Sequence, residues 1–375
     1  MSARFLTVVL ERAFNMRDGF GREIDYMRIS VIDSCNLNCY YCNPCDNNEH
    51  CHALNILSVK EVLCIVRAAT RLGIKHFRLT GGEPLLHPQL DEMVLQIKKI
   101  PGVSSVSLTT NAVLLAQHAK WLKEAGIDSI NVSLDTIDAS EYERITKKPL
   151  LEEVKHGINA AIECGIRVKI NVVLTPQTDV VALTRYVAKK GTDIRFIEMM
   201  PVGEGHTNGV EPYKKVIGTL SKLYGEPCRI NTEKTKEINS GNDKRKIPDN
   251  GPAEYYIFPE LGIRVGLIQA IHGKFCATCN RIRVTADGRL MPCLGSSVTM
   301  DLVPDSWDFA DDVEKDFAIV RALRAAIKAK PRCHNFNDNA VTYTKTTETK
   351  TVETKATELK AAEVNAARNM SRIGG

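Results

Sequence analysis

The sequence predicts an α/β fold, a partial (β/α)6 TIM-like barrel followed by a C-terminal extension that carries a second cysteine site. Three observations predict it. Short β-branched runs alternate with helix-length runs between residues 27 and 201. Helix-length connections between strands imply parallel pairing. Polar or glycine-rich residues stand where each strand-like run ends, the end at which parallel barrels gather chemistry.

Taken in order, residues 1–26 read as an irregular arm, including Gly21-Arg22. Residues 27–33 alternate and branch as a strand and lead into Cys35-Asn-Leu-Asn-Cys39-Tyr-Tyr41-Cys42. Ser58 with Glu61 makes a capping box for a helix over 58–71. Strands are expected over 75–80, 103–109, 127–134, 167–174 and 194–199, with helices over 89–100, 112–125, 139–164 and 180–190. The strand ends carry Gly81-Gly82-Glu83, Thr109-Thr110-Asn111, Ser133 with Asp135, Asn171, and Glu198-Met-Met200.

After Pro201 the periodicity fades. A helix over 213–224 and strands over 255–258 and 263–268 are expected. The run Cys276-Ala-Thr-Cys279 continues to Cys293 through a hairpin turning at Asp287-Gly288. Five segments follow: an arm (1–26), the barrel (27–201), the second cysteine region (202–340), a Thr/Glu/Lys-rich stretch (341–369) and a diglycine tail (370–375).

Composition sets bounds. The chain has 375 residues and a net charge of +5, enough for a large core, with no concentrated basic face of a nucleic-acid binder. No stretch approaches a membrane span. Its 12 cysteines cluster, which points to metal and a reducing compartment rather than a disulfide scaffold. The cytoplasm is the expected location; arginines among the first 22 residues leave a mitochondrial transit peptide open.

Three thiols in CxxxCxxC can hold three irons of a [4Fe-4S] cube and leave the fourth iron open. The residues alone leave a zinc knuckle open too, with Cys333 or His334 as a fourth ligand at the second group. No GxxxxGK[ST] loop is present, so a P-loop nucleotide site is not expected.

The CxxxCxxC spacing with Tyr41 resembles the radical S-adenosylmethionine (SAM) superfamily. Further stretches narrow the likeness: Arg28-Ile-Ser, Leu79-Thr-Gly-Gly-Glu-Pro-Leu85, Asn131-Val-Ser-Leu-Asp135, Lys169-Ile-Asn-Val172, Ile194 to Pro201 and Phe275 to Leu294. Together with the terminal Gly374-Gly375 they resemble the GTP 3',8-cyclase (MoaA) family of molybdenum cofactor biosynthesis, over nearly the whole chain.

That resemblance implies a radical SAM barrel with two [4Fe-4S] clusters, on Cys35, Cys39 and Cys42 and on Cys276, Cys279 and Cys293. The first would cleave SAM to a 5'-deoxyadenosyl radical, which takes the ribose 3'-hydrogen of GTP; the second would bind the purine. SAM would meet Tyr41, Gly81, Gly82, Glu83, Thr109, Ser133, Asn171 and Met200. GTP would meet Arg28, Arg78, Lys169, Arg195, Arg281, Arg283, Gly374 and Gly375, with Arg281 and Arg283 alternating on one strand and both facing the barrel mouth. The partners implied are a reductant such as flavodoxin or ferredoxin, a cyclic pyranopterin monophosphate synthase that receives the product, and a second subunit in a homodimer. The chain departs from the family at His76, where lysine is usual, and at Ser34, Asn38, Asn43, His87 and Ala112; Cys45 and Cys51 are extra thiols. Two other readings stand beside it: a paralogous two-cluster radical SAM enzyme acting on another nucleotide or a peptide, and a zinc-stabilised interaction protein.

Overall fold

The computed structural model describes residues 16–42, 55–201, 212–230, 251–296, 299–302, 312–334 and 336. Cys45, Cys51, the Thr/Glu/Lys-rich stretch and Gly374-Gly375 lie outside the described residues.

Six strands come in the expected sequence: β1 (Tyr26–Ser30), β2 (His76–Thr80), β3 (Ser105–Thr110), β4 (Ser129–Ser133), β5 (Val168–Val173) and β6 (Asp193–Ile197). The helices between them are α1 (Val59–Arg71), α2 (Leu90–Lys98), α3 (Leu115–Glu124), α4 (Ala139–Thr146), α5 (Leu151–Glu163) and α6 (Val180–Lys189). Each strand pairs in parallel with the next. Sequential order with right-handed crossovers puts every helix on one face, which is how a barrel is wound.

Local sequence explains the helix ends. The Ser58–Glu61 capping box is formed in both directions and starts α1. Asp138 and Asp179 cap α4 and α6 through their side chains. The single helix expected over 139–164 is two, because Lys147 turns left-handed at φ 61° and Pro149 follows. A proline disfavours helical backbone in the residue before it.

The C-terminal region does not stand apart from this sheet. It adds α7 (Pro212–Tyr224), β7 (Cys228–Ile230), β8 (Glu254–Ile257), β9 (Arg264–Ile268), β10 (Arg281–Val284), β11 (Arg289–Met291), β12 (Met300–Asp301) and α8 (Asp312–Lys328). The strand order is β12-β11-β10-β1-β2-β3-β4-β5-β6-β9-β8-β7. β9 extends the sheet in parallel beyond β6, and β10 does so beyond β1. The expected hairpin at Asp287-Gly288 is β10–β11. α8 packs on α1, where Arg71 Nη2 and Asp316 Oδ2 are 2.8 Å apart.

The two faces of the sheet differ in chemistry. The helix side is apolar: Met27, Ile29, Phe77, Leu79, Val106, Leu108, Ile130 and Val132 are fully buried there with the inner faces of the helices. The alternate residues are polar or charged and still buried, among them Ser30, Arg78, Thr109, Asn131, Lys169, Arg195 and Arg283. A buried polar face is costly unless it has partners. Among the described residues no helix is long and apolar enough to cross a membrane.

Candidate active site

The first thiol triad follows the C-terminal end of β1, and its loop is tied to three neighbouring strand ends. Gly82 and Glu83 donate their backbone N–H groups to the carbonyls of Ile32 and Ser34, both at 2.8 Å. A Cβ on Gly81 would lie 2.3 Å from the Ile32 oxygen, and one on Gly82 2.2 Å from the Ser34 oxygen. These glycines therefore let β2's end approach the cysteine loop itself. Glu83 is 1 % exposed and accepts from Thr110 Oγ1 and Asn111 N, each at 2.7 Å, and from Leu85 N at 3.0 Å. It orients the loops after β2 and β3. Asn111 Nδ2 reaches Asn36 Oδ1 at 2.7 Å and Cys35 Sγ at 3.8 Å. Tyr41 donates its hydroxyl to Asp135 Oδ2 at 2.5 Å, and Asp135 also accepts from Val173 N at 2.8 Å. Asp135 and Asn111 were visible as strand-end residues, but not as supports of the thiol loop.

Electrostatics at this end favour neutral thiols. Burial, with the charges of Glu83 and Cys42 nearby, pushes Cys35 up to about 12. Burial pushes Cys42 to about 11, and burial with Cys42 and Asp135 raises Cys39 further. Burial also lifts Glu83 to about 7 and Asp135 to about 6 against the hydrogen bonds each accepts.

The second triad sits at the opposite end of the same strands. Cys279 precedes β10, and Cys293 follows its hairpin partner β11, so both lie beside the N-terminal end of β1. With Tyr26 level with Arg281 and a rise of ~3.3 Å per residue, the two thiol loops are separated by roughly 20 Å along the strands. The expectation that Arg281 and Arg283 face the mouth is corrected in this respect. They line the interior, but from the end that holds the second triad, because β10 runs parallel to β1 and starts at that triad.

Cations frame this end. Burial tends to raise Cys279, but Arg281 and Lys330 overcome it and bring the thiol to about 7. Cys276 is raised by burial despite a backbone hydrogen bond from His334. His334 Nε2 is engaged with the Ala270 carbonyl at 2.7 Å, so that ring nitrogen is occupied. Arg22 and Lys330 also reach this triad's backbone; both were unassigned from sequence because their partners are distant in the chain.

Between the two ends lies a row of guanidinium groups. Arg283, Arg28 and Arg78 are level on three adjacent strands. Burial and the neighbouring charges of Arg283, Arg78 and Arg281 hold Arg28 well below its ordinary value, while Tyr26 opposes that shift. Burial and Arg281 bring Arg283 to about 10. Arg28 Nε, Arg281 Nε, Arg283 Nη1, and Nε and Nη2 of Arg195 are buried without a hydrogen-bond partner, as are Asn131 Oδ1, Asn171 Oδ1 and Ser30 Oγ. Arg78 differs: it bonds Tyr26 Oη at 2.5 Å and the Leu108 carbonyl at 3.0 Å, with Thr109 Oγ1 at 3.4 Å. Lys169 Nζ lies 3.5 Å from Tyr255 Oη. Gly266 is level with Arg195, and a Cβ there would lie 2.7 Å from Arg195 Cγ, so this glycine makes room for the arginine. Ser133 is exposed beside Asn171 at the first triad's end, and Met200 is half-buried beyond β6.

His76 sits level with Tyr26 at the second triad's end and pairs through Nδ1 with Ser105 Oγ at 2.8 Å. Burial lowers it from its ordinary value.

Both triads fit the donor set of an iron–sulfur cube: free thiols in sets of three, close enough within each set to perturb one another's charge. A polyphosphate would supply acceptors for the unpartnered guanidinium nitrogens between them.

Comparison with known proteins agrees. The Radical SAM superfamily model matches residues 29–182, and the Molybdenum Cofactor Synthesis C model matches residues 192–336. The chain is 35% identical over 324 residues to a GTP 3',8-cyclase of Clostridium perfringens, covering 86% of this chain and 95% of that protein. It is 37% identical over 328 residues to a GTP 3',8-cyclase of Peptoclostridium acidaminophilum, covering 86% and 94%. In fold it is similar to Streptococcus suis SuiB bound to precursor peptide SuiA, with TM-score 0.53, 15% identity, and coverage of 86% of this chain and 69% of that one.

Proposed function

This chain belongs to the GTP 3',8-cyclase family of the radical SAM superfamily, and we propose from that premise how its own residues divide the reaction. The enzyme converts GTP to (8S)-3',8-cyclo-7,8-dihydroguanosine 5'-triphosphate, the first step of molybdopterin biosynthesis. It uses SAM and two [4Fe-4S] clusters. Cys35, Cys39 and Cys42 would hold the first cluster, which when bound would supply the electron for reductive cleavage of SAM.

The chain's residues do the binding and orienting. Glu83, Asn111, Asp135 and Tyr41 hold the first thiol loop against the ends of β2, β3 and β4. Thr109, Ser133, Asn171 and Met200 border the space beyond that loop, where SAM's amine, ribose and adenine need polar and thioether neighbours. Gly81 and Gly82 act by letting the loop seat closely. At the other end Cys276, Cys279 and Cys293 would hold the second cluster, which would supply a binding site for the purine. Arg28, Arg195, Arg281 and Arg283 take the triphosphate, and Lys169 and Arg78 complete the cationic floor, Arg78 while bonded to Tyr26. Gly374 and Gly375 belong to the same assignment by family likeness.

One observation carries the substrate reading: four arginines, Arg195 and Arg283 buried and Arg28 and Arg281 half-buried, each turn buried nitrogens without a hydrogen-bond partner into one interior. Like charges in a row disfavour one another, and bidentate phosphate contacts relieve both the repulsion and the missing bonds. A flavodoxin- or ferredoxin-type reductant is carried by the family likeness alone. Hand-over to a cyclic pyranopterin monophosphate synthase and homodimerisation are carried by the family alone. Free thiols among the described residues suit the cytoplasm.

The test is an anaerobic assay of reconstituted protein with SAM, dithionite and GTP, read by mass spectrometry. 5'-Deoxyadenosine together with an isomer of GTP is expected. 5'-Deoxyadenosine without that isomer would move the substrate elsewhere and direct attention to His76.

A further inference from the structure

The segment that leaves α8 wraps the second thiol triad. Lys330 is only 2 % exposed. Its Nζ donates to the Arg281 carbonyl at 2.7 Å and to the Pro292 carbonyl at 2.8 Å, and it is hydrogen-bonded to the Cys279 thiol. Arg281 lies two residues after Cys279, and Pro292 lies immediately before Cys293. One ammonium thus bridges the two arms of the hairpin at the points where two cysteines leave it.

The segment is itself held from the other side. Arg22 donates to the Pro331 carbonyl at 2.6 Å, the Arg332 carbonyl at 3.1 Å and the Cys276 carbonyl at 2.7 Å. Asp18 fixes Arg22 at 2.5 Å in a buried pair. Every cysteine of the triad therefore lies within two residues of a main-chain carbonyl held by one of two buried cations.

A lysine is seldom buried this deeply, because removing an ammonium from water costs several kcal/mol unless it is compensated. Lys330 has three donors, and two carbonyls with one sulfur use all of them. Carbonyls are neutral, so the negative charge of a cluster held by the adjacent cysteines would supply the compensation.

We propose that Lys330 is a positioning residue of the second cluster: it fixes the separation of Cys279 and Cys293 and places an ammonium beside their sulfurs. A cation there favours the reduced cluster, which carries one more electron. This rests on the two-cluster reading.

The test uses full-length protein with Cys35, Cys39 and Cys42 changed to Ala, reconstituted anaerobically so that only the second cluster reports. About four irons per chain are expected in that background. Binding none would sink the two-cluster reading, and this inference with it. In the same background Lys330→Met should bind less than half the iron. Lys330→Gln keeps donors without charge; it should retain iron but shift the ratio of oxidised to reduced cluster about tenfold at a fixed potential, that is, lower the midpoint by about 59 mV. Lys330→Arg should restore that midpoint. Circular dichroism and melting of each variant separate cluster loss from unfolding. If Lys330→Met does not fold, the midpoint of Lys330→Gln decides. Full iron in Lys330→Met with an unchanged cluster spectrum, or an unchanged midpoint in Lys330→Gln, would overturn the proposal.

Discussion

The two thiol triads have the same number of sulfurs and opposite surroundings. The first is framed by carboxylates, Glu83 and Asp135, and its thiols are pushed up by burial and by those charges. The second is framed by Arg281 and Lys330, which draw Cys279 down to about 7 against burial. SAM brings a positive sulfonium, and GTP brings a polyanion. On the proposed assignment of SAM to the first end and GTP to the second, each end has the sign that complements its ligand. Ligand count alone could not distinguish the ends; the supporting charges do.

The largest effect should separate the ends completely. Replacing Cys276, Cys279 and Cys293 by Ala should halve the iron from about eight to about four per chain. It should also lower formation of the GTP isomer by about a thousandfold or more, since orientation of the base is lost, while dithionite-driven 5'-deoxyadenosine persists. Replacing Cys35, Cys39 and Cys42 by Ala should abolish both products. Equal loss of 5'-deoxyadenosine in the two variants would break the comparison.

Next in size is Gly82→Ala. Its methyl would meet the Ser34 oxygen at 2.2 Å, so the backbone of the first loop must move, at a cost of about 1–3 kcal/mol. Iron should fall by loss of the first cluster alone, leaving the spectrum of the second. A variant with both spectra intact would show that the loop tolerates the displacement.

Arg283→Gln should weaken GTP binding by about ten- to a hundredfold, the worth of one charged hydrogen bond at 1.5–3 kcal/mol. Calorimetry should show guanosine and SAM binding unchanged. A change in SAM affinity of similar size would mean the two ends are not independent.

The smallest effect is a titration. Burial raises Tyr26, but Arg78, Arg28 and Arg281 outweigh it and bring the phenol to about 8 from 10.0. Because the folded value is depressed, the ionised phenol adds stability as pH rises from 8 to 10, of order 2 kcal/mol. The gain is absent below pH 8 and complete above pH 10. Phenolate absorbance, corrected with Tyr26→Phe, should show this step without nucleotide. Saturating GTP should move the step upward, since phosphate charge offsets the arginines. No movement would place the triphosphate away from this end.

Much of the barrel was legible because its signals are local. The strand runs of β1 to β6, the Ser58–Glu61 box and the polar residues at strand ends all lie within a few positions of what they determine. The break between α4 and α5 is local too, since Pro149 disfavours helical backbone at Lys148. The thiol sets and Asp287-Gly288 gave the second site its ligands but not its end of the barrel. That depends on β10 pairing with β1, a contact between residues about 255 apart, which no periodicity records. The roles of Arg22, Lys330 and Gly266 were illegible for the same reason: each is defined by a partner brought close only by the fold.

The placement of β9 and β10 has a further consequence. They occupy the two open sides of the six-strand unit, and each carries antiparallel neighbours outward, to β7 and to β12. A chain ended at residue 201 would leave β1 and β6 each with a bare row of backbone donors and acceptors. Such rows recruit strands from other molecules. The C-terminal half therefore acts as a safeguard against self-association as well as a source of ligands, and separating the halves would yield aggregate rather than a working barrel.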